Sequence, residues 1–293
     1  MNYPPAALLP EPLAITRLAR QARRLTTPCG AGAMVWHVWG KAGGAAPLVL
    51  LHGASGSWTH WLRNIDALVA TGREVWAADL PGFGDSAVPP DGSDADAMVA
   101  PLADGLAALL GGRACDLVGF SFGGLVAGLC LAAHPALARR LVLVGAPAMG
   151  VVPQRQVQLR GWRHLPERDA QLAAHRHNLA VLMLSDARLI DDDTLALHVG
   201  NVVRDRLPRR RQASGDMLAR ALRQGACPVH AIYGAQDALY QRWIADLEAA
   251  YRQAAGARFT GLQLLPGCGH WVQYERPQAF HAALARALGD QGK

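Results

Sequence analysis

Short apolar runs rich in Val, Ile and Leu alternate along the chain with amphipathic stretches of helical length. The runs fall at residues 47–51, 74–79, 116–120, 140–144, 229–233 and 262–265. Runs that are apolar throughout rather than alternating belong to strands covered from both sides, as in a parallel sheet. Two further runs, at 24–27 and 34–39, flank the turn-rich Pro28-Cys29-Gly30-Ala31-Gly32 and predict an antiparallel hairpin at the sheet edge. Helical periodicity occupies residues 59–70, 95–110, 122–133, 241–254 and 277–288, leaving crossovers long enough for right-handed parallel connections. The pattern predicts an α/β fold with helices on both faces of the sheet.

The rhythm breaks once. After Val144-Gly145-Ala146-Pro147 no strand pattern returns until residue 228, and the residues between carry helical spacing, for example at Leu179, Leu182, Met183, Leu195 and Val199. Roughly 75 residues of this kind form an inserted helical cap rather than a loop. The chain then divides into core at 1–149, cap at 150–226 and core again at 227–293, within the size range of one large domain.

Composition narrows the function classes. With 51% apolar and 18% charged residues the chain is not disordered. It has no uninterrupted apolar stretch of membrane-spanning length, and its first residues lack the apolar segment and cleavage site of a signal peptide. The expectation is a cytoplasmic protein that does not insert in a membrane; a homo-oligomer is left open. The five cysteines are odd in number and show no C-x-x-C pair, which argues against a zinc site or a disulfide framework.

A net charge of +6 and a pI near 9.4 raise the question of nucleic acid. Only Lys41 and Lys293 are lysine, however, and residues 150–226 hold thirteen Arg against eight Asp and Glu. The charge is regional, densest at Pro208-Arg209-Arg210-Arg211, and reads as a solvated helical face; the remaining alternative is an anionic substrate or surface. No nucleic-acid partner is expected.

The chemistry centres on Gly119-Phe120-Ser121-Phe122-Gly123, which an apolar strand enters and a small-residue helix leaves. A serine on such a turn is strained, and the strain is tolerable only where the residues two before and two after lack bulky side chains, as Gly119 and Gly123 do. The turn holds the hydroxyl at the sheet's carboxyl end and at a helix N-terminus, where the dipole favours a developing oxyanion. Serine needs a base, and the base an orienting acid. Asp237 follows the strand that ends at Gly234, and His270 follows the last strand, in the chain order that this arrangement requires. The oxyanion amides are assigned to Phe122, next to the nucleophile, and Ala54, in the loop after the strand ending at Leu51. His52 is assigned a loop-bracing role, as is Asp85. Cys268 lacks any neighbour that would activate its thiol.

Taken together, Leu51-His52-Gly53, Asp79-Leu80-Pro81-Gly82-Phe83-Gly84-Asp85, the Ser121 turn, Tyr233-Gly234-Ala235-Gln236-Asp237 and Gly269-His270-Trp271 resemble the alpha/beta-hydrolase superfamily with a helical cap. The resemblance runs from about residue 24 to 290 and implies a mainly parallel eight-stranded sheet with neither metal nor organic cofactor. Trp271-Val272-Gln273-Tyr274-Glu275 and Gly56-Ser57-Trp58-Thr59-His60-Trp61-Leu62-Arg63 look like segments of the meta-cleavage-product hydrolases, which break carbon–carbon bonds in dienoates. Two features depart from them. Phe120 stands where that family commonly has Asn, and His198 falls where its cap arginine grips the substrate carboxylate. Arg204, about two turns further on, is the candidate for that arginine.

Phe120, Trp271 and Met183, with Trp162, Leu182 and Leu184, are expected to line an apolar or aromatic pocket. The leading expectation is a serine hydrolase of small hydrophobic carboxylic esters. The alternatives are a carbon–carbon hydrolase of dienoates, whose substrate is a ketone, and a ligand receptor or acyltransferase built on the same three residues.

Overall fold

In a computed structural model, residues 9–43, 45–152, 157–207 and 212–290 are described. The Arg209–Arg211 run that dominated the charge reading lies outside them. Helix α1 (Leu13–Gln21) leads into strands β1 (Arg23–Cys29), β2 (Gly32–Trp39) and β3 (Leu48–Leu51). Helix α2 (Ile65–Ala70), β4 (Val75–Asp79), α3 (Val99–Leu110), β5 (Cys115–Phe120), α4 (Phe122–Ala133) and β6 (Ala138–Val144) complete the first part of the core. The insertion carries α5 (Arg168–Asn178), a π-helical turn at Leu179–Met183, α6 (Asp192–Val203) and α7 (Met217–Gln224). The chain closes with β7 (Val229–Gly234), α8 (Ile244–Ala255), β8 (Phe259–Leu265), α9 (Val272–Glu275) and α10 (Pro277–Leu288).

The eight strands form one sheet in the order β1-β2-β4-β3-β5-β6-β7-β8, antiparallel at β1/β2 and β2/β4 and parallel elsewhere. The apolar runs in β3 to β7 are strands buried on both faces, and successive residues serve opposite sides; the run at 262–265 lies in the edge strand β8 and is only partly buried, with Leu264 39% exposed. Val49, Leu51, Leu117, Leu141 and Leu143 pack with α3, α4 and α8. Leu48, Leu50, Val118, Val142 and Val144 pack with α1, α2 and α10. Both clusters are almost free of solvent, which is where the bulk of the stabilisation lies.

The differences from expectation are instructive. The pattern at 59–70 is split, because a 3-10 turn at Trp58–Trp61 precedes α2. Helices α1 and α9 had no clear periodic signal; α1 is amphipathic, but only Leu18 is buried. The cap boundary at 226 also needs correction. Leu218 and Leu222 of α7 belong to the core cluster beneath the sheet, and Leu218 lies against α4 at Gly128, where an added Cβ would come within 2.2 Å of its Cδ1. The last helix of the insertion is therefore a core helix, admitted by a glycine on its partner. Among the described residues no helix is long and apolar enough to cross a membrane.

Candidate active site

Ser121 links β5 to α4 at φ 49°, ψ −120°. Among the described residues only Ser55, Ser121 and Ala148 are non-glycines with positive φ, and all three line one cavity of about 830 Å³. Backbone strain that gathers in this way marks a functional site. The Ser121 turn closes only because its flanks lack Cβ atoms. One on Gly119 would lie 2.6 Å from Gly123 O, and one on Gly123 would lie 2.4 Å from His52 O. Ser121 N–H donates to Val144 O at 2.7 Å and Gly124 N–H to Ser121 O at 2.8 Å, fixing the turn to β6 and to its own helix.

His270 lines the same cavity, and its Nδ1 lies 2.7 Å from Asp237 Oδ2. The other oxygen, Asp237 Oδ1, accepts from Leu239 N–H at 2.9 Å. With Asp237 fully buried, the pair fixes the imidazole with Nδ1 protonated and Nε2 as its basic atom. Gly145 at φ 55° makes room for the ring, since a Cβ there would stand 3.0 Å from His270 Cε1. Glu275, also buried, ties the histidine loop to the cap. It accepts from Gly269 N–H at 2.6 Å, Ser185 Oγ at 2.7 Å and Asp186 N–H at 2.8 Å.

The loop after β3 forms the adjoining wall. An added Cβ on Gly53 would meet Ser121 Cβ at 3.2 Å, which puts this loop directly beside the serine. Gly53 N–H donates to His60 Nδ1 at 3.2 Å, so His60 keeps its proton on Nε2. Ala54 and Phe122 both line the cavity. His52 is fully buried, its Nδ1 donating to Gly53 O at 2.7 Å and its Nε2 accepting from Leu80 N–H at 2.9 Å. Burial pushes the pKa of both rings down, well down for His60, so they act as neutral braces. Asp79 holds the neighbouring loop, accepting from Trp58 N–H at 2.8 Å and Asp85 N–H at 2.9 Å. Cys268 is buried and its thiol is pushed up to about 12, chiefly by that burial.

Phe120, Met183, Trp162 and Leu182 reach the cavity; Leu184, Trp271 and Arg204, also expected there, do not. Trp271 is buried behind His60, with its Nε1–H donating to His60 O at 3.0 Å and its ring stacked 4.1 Å from Tyr274. It braces the 3-10 turn instead of meeting substrate. Arg204 caps the end of α6 and points outward, its Nε donating to Gly200 O at 3.0 Å and its Nη1 lying 3.3 Å from Asp85 Oδ1. A carboxylate on the opposing loop has taken the guanidinium that the cavity was expected to receive.

The cap wall instead presents Arg160, Arg163, Trp162, His175, Asn178 and His198. No Asp or Glu lines the cavity among the described residues. His175 is fully buried, 4.8 Å from the Trp162 ring and 5.3 Å from His198, and neither ring nitrogen has a protein hydrogen-bond partner. Burial, followed by the charge of Arg163, lowers its pKa to about 4; burial, followed by His175, lowers that of His198 to about 3. Sequence reasoning named Trp162 and His198 but not Arg160, Arg163, His175 or Asn178, and it quoted His60 and Glu275 within matching segments without giving either a role, because the partners that define those roles lie elsewhere in the chain.

Comparison with known proteins follows the same lines. A model of the alpha/beta hydrolase family matches residues 48–283. The chain is 27% identical over 266 residues to a 2-hydroxymuconate semialdehyde hydrolase of Pseudomonas sp. strain CF600, covering 85% of this chain and 89% of that protein. It is 28% identical over 261 residues to a 2-hydroxy-6-oxononadienedioate/2-hydroxy-6-oxononatrienedioate hydrolase of Paraburkholderia phymatum, covering 84% and 88%. Among solved structures, the meta-cleavage product hydrolase CumD of Pseudomonas fluorescens IP01 superposes with a TM-score of 0.71 at 21% identity, over 92% of this chain and 98% of that one. The esterase RhEst1 of Rhodococcus sp. ECU1013 gives 0.70 at 24%, over 93% and 100%. At those identities the structural likeness speaks for the fold alone.

Proposed function

This chain belongs to the alpha/beta hydrolase family and is a hydrolase, and we propose that within the family it cleaves a carbon–carbon bond in an acidic enol–ketone of the dienoate type, with Ser121, His270 and Asp237 as its triad. The observation that carries this reading is the electrostatics of the cavity: two arginines, Arg160 and Arg163, among its lining residues and no carboxylate among those described. Such a chamber favours an anionic substrate. The names of the relatives point the same way, and the ester reading given first from the sequence is now the second.

In this mechanism the substrate enol first ketonises, its proton passing to the carbon beside the bond that will break, so that the new carbonyl, conjugated through the remaining double bond, becomes the electron sink. His270 Nε2 takes the Ser121 proton as the Oγ attacks the other carbonyl. Asp237 holds Nδ1–H and stabilises the imidazolium. The Ala54 and Phe122 amides receive the oxyanion. As the tetrahedral adduct collapses, the carbon–carbon electron pair leaves into the sink as an enolate and takes the proton from His270. Water, deprotonated in turn by His270, then releases the acid from Ser121. Arg160 and Arg163 are the cap cations placed to meet the substrate carboxylate, in the role first assigned to Arg204.

The test is a side-by-side assay of a yellow ring-fission dienoate and p-nitrophenyl acetate. A kcat/KM at least tenfold higher for the dienoate is expected. Turnover of the ester alone would overturn the carbon–carbon reading and leave the esterase, for which the apolar surround of Phe120, Leu182 and Met183 speaks.

A further inference from the structure

The loop that carries Ala54 is held from two directions. On the core side, Gly53 N–H is bound to His60 Nδ1. On the other side Ser55, Ser57 and Thr59 are anchored to the end of α6 and the residues just after it. Ser55, strained at φ 51°, donates its hydroxyl to Asp205 Oδ2 at 2.5 Å. Ser57 Oγ donates to Asn201 Oδ1 at 2.7 Å, and Thr59 Oγ1 donates to the same oxygen at 3.0 Å. Ser57, Thr59 and Asn201 are essentially inaccessible to solvent. Asp205 is itself fixed, its Oδ1 accepting from Leu207 N–H at 3.0 Å. Arg206 fastens the same segment to the neighbouring core loop, donating to the carbonyls of Phe83, Gly84 and Ser86.

Ala54 therefore lies between a residue anchored to the core and a residue anchored to the insertion. A non-glycine residue keeps a left-handed backbone only when its surroundings impose it, and at Ser55 the side-chain bond to Asp205 is an imposed contact from outside the loop. We propose that Asp205 and Asn201 are positioning residues for the oxyanion loop, so that the inserted segment sets the direction of the Ala54 amide as well as roofing the pocket. The inference rests on the serine-hydrolase reading above but not on the identity of the substrate.

An amide displaced by about 1 Å is enough to lower a rate 10- to 100-fold. Asp205→Ala is expected to lower kcat for p-nitrophenyl acetate by at least about tenfold with KM changed less than about threefold. Affinity for a trifluoromethyl ketone, whose adduct with Ser121 carries the oxyanion, should fall in parallel. Asp205→Asn, which keeps an acceptor oxygen for Ser55, should restore most of both. Should Asp205→Ala fail to fold, Ser55→Ala removes the same bond from the other end and should give the same split. Unchanged kcat and unchanged ketone affinity in a folded Asp205→Ala or Ser55→Ala variant would overturn the proposal, as would an Asp205→Asn variant as impaired as Asp205→Ala. Labelling by a fluorophosphonate separates the two levels. If the unsubstituted protein is not labelled at Ser121, the serine-hydrolase reading fails; if it is labelled, and Asp205→Ala at the same rate, only the positioning role fails.

Discussion

The two walls of the cavity are built differently. On the core wall the groups around the serine are held: His270 by Asp237, Gly53 by His60, His52 by Gly53 and Leu80, Gly269 by Glu275. On the cap wall, His175 has neither ring nitrogen bonded to protein, and Arg160 and Arg163 line a chamber without acids among its described lining residues. Preorganised groups suit a transition state whose charges develop at fixed points. Polar groups left unmatched by protein suit a ligand that brings the partner itself. The contrast is the one expected if the core wall carries the proposed chemistry and the cap wall selects the substrate.

The largest expected effect breaks the core wall outright. Ser121→Ala should lower kcat by at least about a thousandfold while leaving the thermal midpoint in place, checked by steady-state kinetics beside a melting curve. Next is the joint between the walls. Glu275→Ala removes a buried acceptor from Gly269, Ser185 and Asp186, and should cost about 3 kcal/mol in a denaturant titration, with loss of activity because the His270 loop is released.

Acid sharpens the comparison from the cap side. His175 and His198 have folded-state pKa values of about 4 and about 3, below the ordinary value of 6.5. The unfolded chain therefore binds more protons than the folded one between those values, so their contribution to stability is complete above pH 6.5 and is lost as the pH falls towards 4. A loss of the order of 3 kcal/mol per ring is expected at pH 4, visible as a falling melting temperature, and His175→Gln should flatten part of that slope.

Selection itself is tested by the double substitution Arg160→Gln and Arg163→Gln. KM for an anionic dienoate should rise about tenfold, about 1.4 kcal/mol, while KM for a neutral ester stays put. Smallest of all, Arg204→Gln breaks an exposed pair with Asp85 and should shift stability by less than about 1 kcal/mol and KM not at all. A large KM effect there would return Arg204 to the pocket.

Much of the fold could be read from the chain because the signals are local. The run at 116–120, Gly119 and Gly123 place a strand, a strained turn and a helix within a dozen residues, and β5, Ser121 and α4 stand where that pattern put them. The positions of Asp237 and His270 at strand ends follow from the same rhythm. Trp271 illustrates the limit. Its place beside the base suggested a pocket residue, but the start of α9 turns the indole onto His60, a partner 211 positions away. Arg204 failed for a similar reason: helix periodicity gives a residue's angle around its own axis but says nothing of the acid waiting on another loop.

The sequence alone thus determined the strand pattern, the nucleophile turn and the candidate serine, acid and base, all consequences of hydrophobic period and of backbone conformations that only certain residues tolerate. The tertiary structure decided that α7 packs on α4, that Arg160 and Arg163 but not Arg204 are among the residues lining the chamber, that His175 is buried without a protein hydrogen bond, and that Ser55 is held by Asp205. Each of these depends on which side chains meet across long chain separations. That is settled by the packing of whole elements, where a shift of one residue in register exchanges one partner for another.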